Sequence, residues 1–278
     1  MFHEFIFCIF ACDTIERYRA QIHKIEETWG QGADQADQQG AEGSDRQGSV
    51  RADQQGAEGS DTQGSSAKLL FFLGEKGPLS GDNYIRLENV GDDYLSAADK
   101  QFLGIKYVYE NYDFHYLYIC GTDTFVLMNN LKNYVRENCD FNEAFVMGGH
   151  GDNRQIEDTN IHFFAGGAGI LLTKPAIQLV YPRLESMQSD WRDICVANNY
   201  ISYIPACDLS ICYFLKLLNV RFLHAHNRFF NCNYLGYNNT PTGVYKCCTQ
   251  TVNIDTMIAC HNMSLSDFDN LSALLYSS

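Results

Sequence analysis

The stretch HYLYICGTDTFVLMNNLKNYV, residues 115–135, decides the fold class. Like Phe5 to Ala11, the continuous apolar run expected of a strand buried on both faces, its first five residues read as a strand. A polar loop follows, Gly121-Thr122-Asp123-Thr124, and the spacing then predicts a helix over 128–137. Working outward, the same order recurs. Strands are expected at 5–11, 68–73, 84–87, 143–147 and 162–165, and helices at 14–29 and 97–112. The first helix carries Ile15, Tyr18, Ile22, Ile25 and Trp29 at helical spacing, with Asp13 or Thr14 as its N-cap. Repeated strand-then-helix order predicts an α/β fold with a mostly parallel central sheet flanked by helices. Ligands of such sheets collect at the carboxyl ends of strands, which puts the loop after Ile119 where chemistry is expected.

The bulk properties agree with a folded chain. Of 278 residues, 45% are hydrophobic and only 19% charged, so any disorder is confined to a limited region. A net charge of -14 lacks the basic surface that nucleic acid or an anionic membrane would need. The apolar run at 5–11 is far short of the ~20 residues that span a bilayer and lacks a signal-type cleavage site, so no integral membrane segment and a cytoplasmic location are expected. Eleven scattered cysteines give no paired zinc knuckles and read as free thiols. Asn238, Asn262 and Asn270 stand in N-x-S/T triplets, which carry little weight without export.

The chain divides at a direct repeat, ADQQGAEGSDRQGSVR at 36–51 followed by ADQQGAEGSDTQGSSA at 52–67. Rich in Gly, Gln, Asp and Ser, it cannot repay the entropy of ordering. The reading is a single domain over 1–278 interrupted by a disordered low-complexity insertion at 31–67. Such an insertion is tolerated because loop closure costs grow only logarithmically with length.

Several residue groups carry candidate chemistry. Asp123 at a strand end can hold a divalent cation that bridges a diphosphate, though Asp and Thr also make ordinary turns. Gly166-Gly167-Ala168-Gly169 either walls a sugar site or makes a tight strand-to-helix connection. Asp208, read by itself, caps a helix over 209–218. His261, read by itself, is a lone and so structural histidine, whereas His224 and His226 would face the same side of a strand, as two metal ligands could.

The order of these segments resembles glycosyltransferase family 31, the family of fringe and the core 1 β1,3-galactosyltransferase. The opening FIFCIFACDTIERYRAQIHKIEETWG is similar to the family's first strand and its R-x-x-x-I-x-x-T-W-G helix. KLLFFLGE resembles its second strand, and DDYLSAADKQFLGIKYVYENYDF the stretch ending in a lysine-bearing helix. GTDTFV stands where the family has D-D-D-T-Y-V, so Gly121 and Thr122 replace two acids and Asp123 keeps the third. FAGGAGILLTKPAI is similar to the G-G-A-G turn and its following helix. In IPACDLSICYFLKLLNV, Cys207 and Asp208 match the family's E-D pair, and TMIACHNMS resembles its S-F-H-Y segment.

The resemblance implies a GT-A-like nucleotide-sugar fold and an inverting, metal-assisted transferase. The donor would be UDP-galactose, UDP-N-acetylglucosamine or UDP-glucose, the acceptor a glycan or glycoprotein, and the linkage β1,3. It gives Asp208 as catalytic base and Asp123 with His261 as ligands of Mn2+, the ion an imidazole favours over magnesium. Asp13, Thr14, Arg17, Lys100, Thr122 and Asp123 would bind the donor, and Gly166, Gly167, Ala168 and Gly169 would wall the sugar site. A catalytically inactive relative that binds nucleotide-sugar or carbohydrate is the alternative, and a structural protein tethered through its acidic repeat is a third reading.

Overall fold

The computed structural model describes residues 2–31, 67–149, 151–225, 227–230 and 253–276. The predicted insertion and His226 lie outside them, except at the insertion's edges. Ala67, counted within the insertion from sequence, opens a strand and pairs with Phe5.

Among the described residues the centre of the molecule is a seven-stranded sheet. Its strands are β1 (Phe2–Phe10), β2 (Ala67–Leu73), β3 (Tyr84–Arg86), β4 (Asp113–Gly121), β6 (Phe145–Gly148), β9 (Ile170–Thr173) and β10 (Arg221–His224). The spatial order is β10-β6-β9-β4-β1-β2-β3. All neighbours pair in parallel except β9, which runs antiparallel to both β4 and β6. The expected mostly parallel sheet is therefore present, with one reversed strand.

Alternation along β1 shows why the run is apolar throughout. Phe5, Phe7 and Ile9 pack on one side with Ile22, Ile25 and Trp29 of helix α1 (Glu16–Glu27) and Leu131 and Val135 of α3 (Met128–Asn138). Ile6 and Cys8 face the other side, with Phe102 and Ile105 of α2 (Ser96–Asn111). Helices α4 (Lys174–Val180), α5 (Met187–Ala197) and α6 (Cys207–Leu217) cover that second face, and α7 (Leu265–Tyr276) joins the first. Both sheet faces are thus buried under helices, the arrangement that continuous hydrophobic strands require.

Three local expectations need correction. The N-cap of α1 is Ile15, which makes no side-chain cap bond. Asp13 is instead taken by Arg86, and the Thr14 hydroxyl donates to Asp92. The segment after Gly169 is first a strand, β9, because Leu171 and Leu172 are needed to fill the sheet between β4 and β6; helix starts only at Lys174. The strand foreseen at 162–165 belongs to a separate antiparallel hairpin, β7 (Gly151–Ile156) with β8 (Thr159–Phe164).

A small second sheet does most to build the site. In it β12 (Ala259–Cys260) lies between β11 (Phe229–Phe230) and β5 (Phe125–Val126), with Cys260 opposite Phe125. No helix among the described residues is long and apolar enough to cross a membrane, and their cysteines are free thiols.

Candidate functional site

The loop from β4 to β5 is fixed from three directions. The Thr122 hydroxyl donates to Gln21 Oε1 of α1 (2.8 Å), the Trp29 indole donates to the Thr124 carbonyl (3.2 Å), and the Thr124 hydroxyl donates to the Gly167 carbonyl (2.8 Å). Asp123 is left projecting from a loop whose neighbours are all engaged.

The small sheet then sets His261 against it. Pairing of Cys260 with Phe125 brings the chain alongside β5, His261 N–H donates to the Phe230 carbonyl (2.9 Å), and Met263 N–H donates to the Asp123 carbonyl (3.0 Å). His261 Nε2 consequently sits 3.3 Å from Asp123 Oδ2, each side chain a little over a quarter exposed. Burial alone would raise the Asp123 carboxyl, but the His261 hydrogen bond and charge, a backbone bond and the charge of Arg17 together hold it below the ordinary range. A carboxylate and an imidazole at this separation suit one divalent ion, since two donors each about 2.1 Å from a metal lie roughly 3 Å apart. No cluster of three or more such ligands occurs among the described residues, so diphosphate oxygens and water would complete the shell.

The Gly166–Ala168 turn packs behind His261, and none of Gly166, Gly167, Ala168 and Gly169 lines the cavity around Asp123 or the one around Thr14. Gly169 closes the turn at φ 89°, a left-handed conformation that favours glycine, and its N–H returns to the Gly166 carbonyl (3.0 Å). Gly166 N–H donates to Asp208 Oδ2 (2.9 Å), and Asp208 Oδ1 accepts from Leu209 N–H (2.8 Å). Burial raises the Asp208 carboxyl, and those backbone bonds oppose the rise only in part. Asp208 lies in the first turn of α6, which starts at Cys207, two residues before the start foreseen from sequence, so the N-cap is Ala206 and not Asp208.

Asp123, His261, Thr122 and Lys100 line one cavity of about 480 Å³. Asp208 does not line it but stands behind the glycine turn, where a Cβ at Gly166 would meet Asp208 and one at Gly167 would meet His261. Thr14 lines an adjoining cavity of about 510 Å³. Arg17 is exposed but near enough for its charge to act on Asp123. Asp13 is apart from these: its fully buried carboxylate is bound by both Arg86 nitrogens and by Leu79 N–H (2.8 Å). His224 packs edge-on against His162, centroids 4.5 Å apart, and lines neither cavity.

Sequence reasoning missed the opposite wall. Asp92, Tyr18 and Tyr94 line the first cavity, and Tyr94 is 76% exposed at its rim. The signal available was the Asp92-Asp93 pair just before α2. Asp93 takes the capping duty there, accepting from Leu95 and Ser96 N–H, which frees Asp92 to face Lys100.

No protein-family model matches the chain, and no curated protein matches it in sequence. A solved structure of a glycosyltransferase involved in glycosylation of the major capsid of PBCV-1 is similar to it over 97% of this chain and 98% of that one, at 8% identity and a TM-score of 0.46.

Proposed function

We propose that this protein transfers a hexose or N-acetylhexosamine from a UDP-sugar to a hydroxyl of a glycan or glycoprotein, with inversion. The observation that carries the reading is the pairing of Asp123 with His261 on one side of a two-glycine contact whose other side is Asp208. One carboxylate is kept ionised by neighbouring positive charge, the place a cation would take. The other is raised by burial, as a base needs.

Asp123 and His261 would hold Mn2+ or a similar ion. When bound, it would neutralise charge gathering on the departing diphosphate. Asp208 has the complementary task. As the acceptor oxygen attacks the anomeric carbon and the carbon–diphosphate bond breaks on the opposite face, a carboxylate oxygen of Asp208 takes the hydroxyl proton. Each of its oxygens accepts one backbone N–H and keeps a lone pair for this. The glycine turn keeps side chains out of the space between His261 and Asp208. Exposed Tyr18 and Tyr94 offer flat faces at the rim on which a nucleobase or pyranose can stack.

The test is transfer and hydrolysis of UDP-galactose, UDP-N-acetylglucosamine and UDP-glucose with and without manganese. Turnover that needs the ion and is lost in Asp208→Asn supports the proposal. UDP binding without turnover of any of the three, in a folded protein, sinks it in favour of a binding protein. Gly121 and Thr122 favour that second reading, because they supply no carboxylate beside Asp123.

A further inference from the structure

Asp92 stands where the two cavities meet: it lines both, with Asp123 and His261 in the first and Asn89 and Lys76 in the second. Its position is fixed. Lys100 Nζ donates to Oδ1 at 2.5 Å and the Thr14 hydroxyl to Oδ2 at 2.6 Å, and the side chain is 15% exposed. Lys100 is itself buried and also donates to the Ala11 carbonyl at 2.7 Å, so its charge is spent on Asp92 rather than offered to the cavity.

This arrangement sorts a nucleotide along its length. A diphosphate is repelled by a fixed carboxylate and is drawn instead to the Asp123–His261 end, where a cation can sit. The group facing Asp92 must be uncharged and must donate a hydrogen bond, because Lys100, Thr14 and Cys12 already bond to it and leave a carboxylate lone pair still to fill. In a nucleoside diphosphate that group is the vicinal diol of the ribose. The diol lies between base and diphosphate in the ligand, as Asp92 lies between the two cavities in the protein.

Resting on the proposed use of a nucleotide-sugar, we infer that Asp92 is a specificity-determining residue that accepts a hydrogen bond from the ribose diol of the donor, so that the site prefers ribonucleotides over 2′-deoxyribonucleotides. Burial opposes the charge of Asp92, but Lys100 and Thr14 outweigh it and keep the carboxyl below its usual range, in the acceptor-only form this needs.

The experiment measures binding of UDP and 2′-deoxy-UDP to the full chain with manganese present. Loss of one hydrogen bond to a charged group is expected to weaken the deoxy ligand about tenfold or more. In Asp92→Asn that ratio should fall toward one. Because this change strands the buried Lys100 cation, the paired variant Asp92→Asn/Lys100→Met provides a second background without an unpaired charge. A merely structural role for Asp92 would weaken both ligands alike and leave the ratio unchanged, which overturns the inference. Equal affinities in the unsubstituted protein overturn it too while leaving the transferase reading intact, whereas no binding of either nucleotide overturns both.

Discussion

Gly167 lies so close to His261 that a Cβ at position 167 would stand 2.5 Å from the imidazole Nδ1. That contact is shorter than real Cβ atoms make, so any side chain at 167 must push the ring or open the turn. The turn is held by the Thr124 hydroxyl at the Gly167 carbonyl and by the Tyr118 hydroxyl at the Ala168 carbonyl (2.5 Å), so the ring gives way. Gly167→Ala is therefore expected to lower turnover about 100-fold, the cost of a misplacement near 1 Å, with the melting temperature little changed. Steady-state kinetics beside thermal unfolding check this. Full activity in the variant would remove His261 from the site.

Asp123 and His261 should behave as one unit. If they share an ion, Asp123→Asn removes charge and His261→Gln removes the imidazole. Either change alone should then cost nearly as much manganese affinity as both together. A double-mutant cycle on manganese binding reads the coupling directly. Strictly additive losses would mean that the two side chains act apart, despite their 3.3 Å separation.

Much of the sheet was legible because its signals are local. The runs in β1, β2 and β4 are apolar on both faces, and that pattern follows from burial alone. β9 was missed since ILLT is only four residues and opens directly into helix at Lys174, leaving too little length to separate a strand from a helix start. The β7–β8 hairpin was missed because its turn uses Glu157, at φ 49°, where a glycine or asparagine would have marked it. In the site, Asp123, Asp208 and His261 stood out by resemblance. Asp92 did not, because its partners Thr14 and Lys100 come from two other elements and only the packing of α2 on β1 unites them. Asp13 shows the converse. Placed among donor ligands by sequence, it spends its charge on Arg86, a partner 73 residues away that no local pattern announces.

The Asp13–Arg86 pair therefore makes a stability prediction rather than a kinetic one. Removing a buried carboxylate strands its partner, and Asp13→Ala should cost about 3 kcal/mol, the low end for a broken buried pair since Arg86 reaches solvent. Burial opposes ionisation of Asp13, but the bonds from Arg86 and Leu79 prevail and depress its carboxyl. Its folded value is thus below the unfolded one, so its contribution is complete above about pH 4 and is lost as pH falls through the lower folded value. Urea unfolding at a series of pH values should show the difference between the native chain and Asp13→Asn shrinking only on the acid side. A gap independent of pH would mean that the carboxylate charge contributes nothing.

For Asp208 the sign is reversed, and it separates a base from a mere helix-end acceptor. Burial lifts its carboxyl above the usual range, so protons leave it at a higher pH than they leave an ordinary aspartate. If Asp208 takes the acceptor's proton, turnover must fall on the acid side with an apparent pKa above about 3.9, the free aspartate value. Asp208→Asn would keep an acceptor for one of the two backbone N–H groups at Gly166 and Leu209 while abolishing the base, so turnover should drop about 100- to 10,000-fold and the acid limb should vanish from what remains. Nucleotide binding should change far less, because the side chain stands behind the glycine turn rather than lining the cavity. A residual activity that keeps the acid limb would assign the titration, and the proton, to another group.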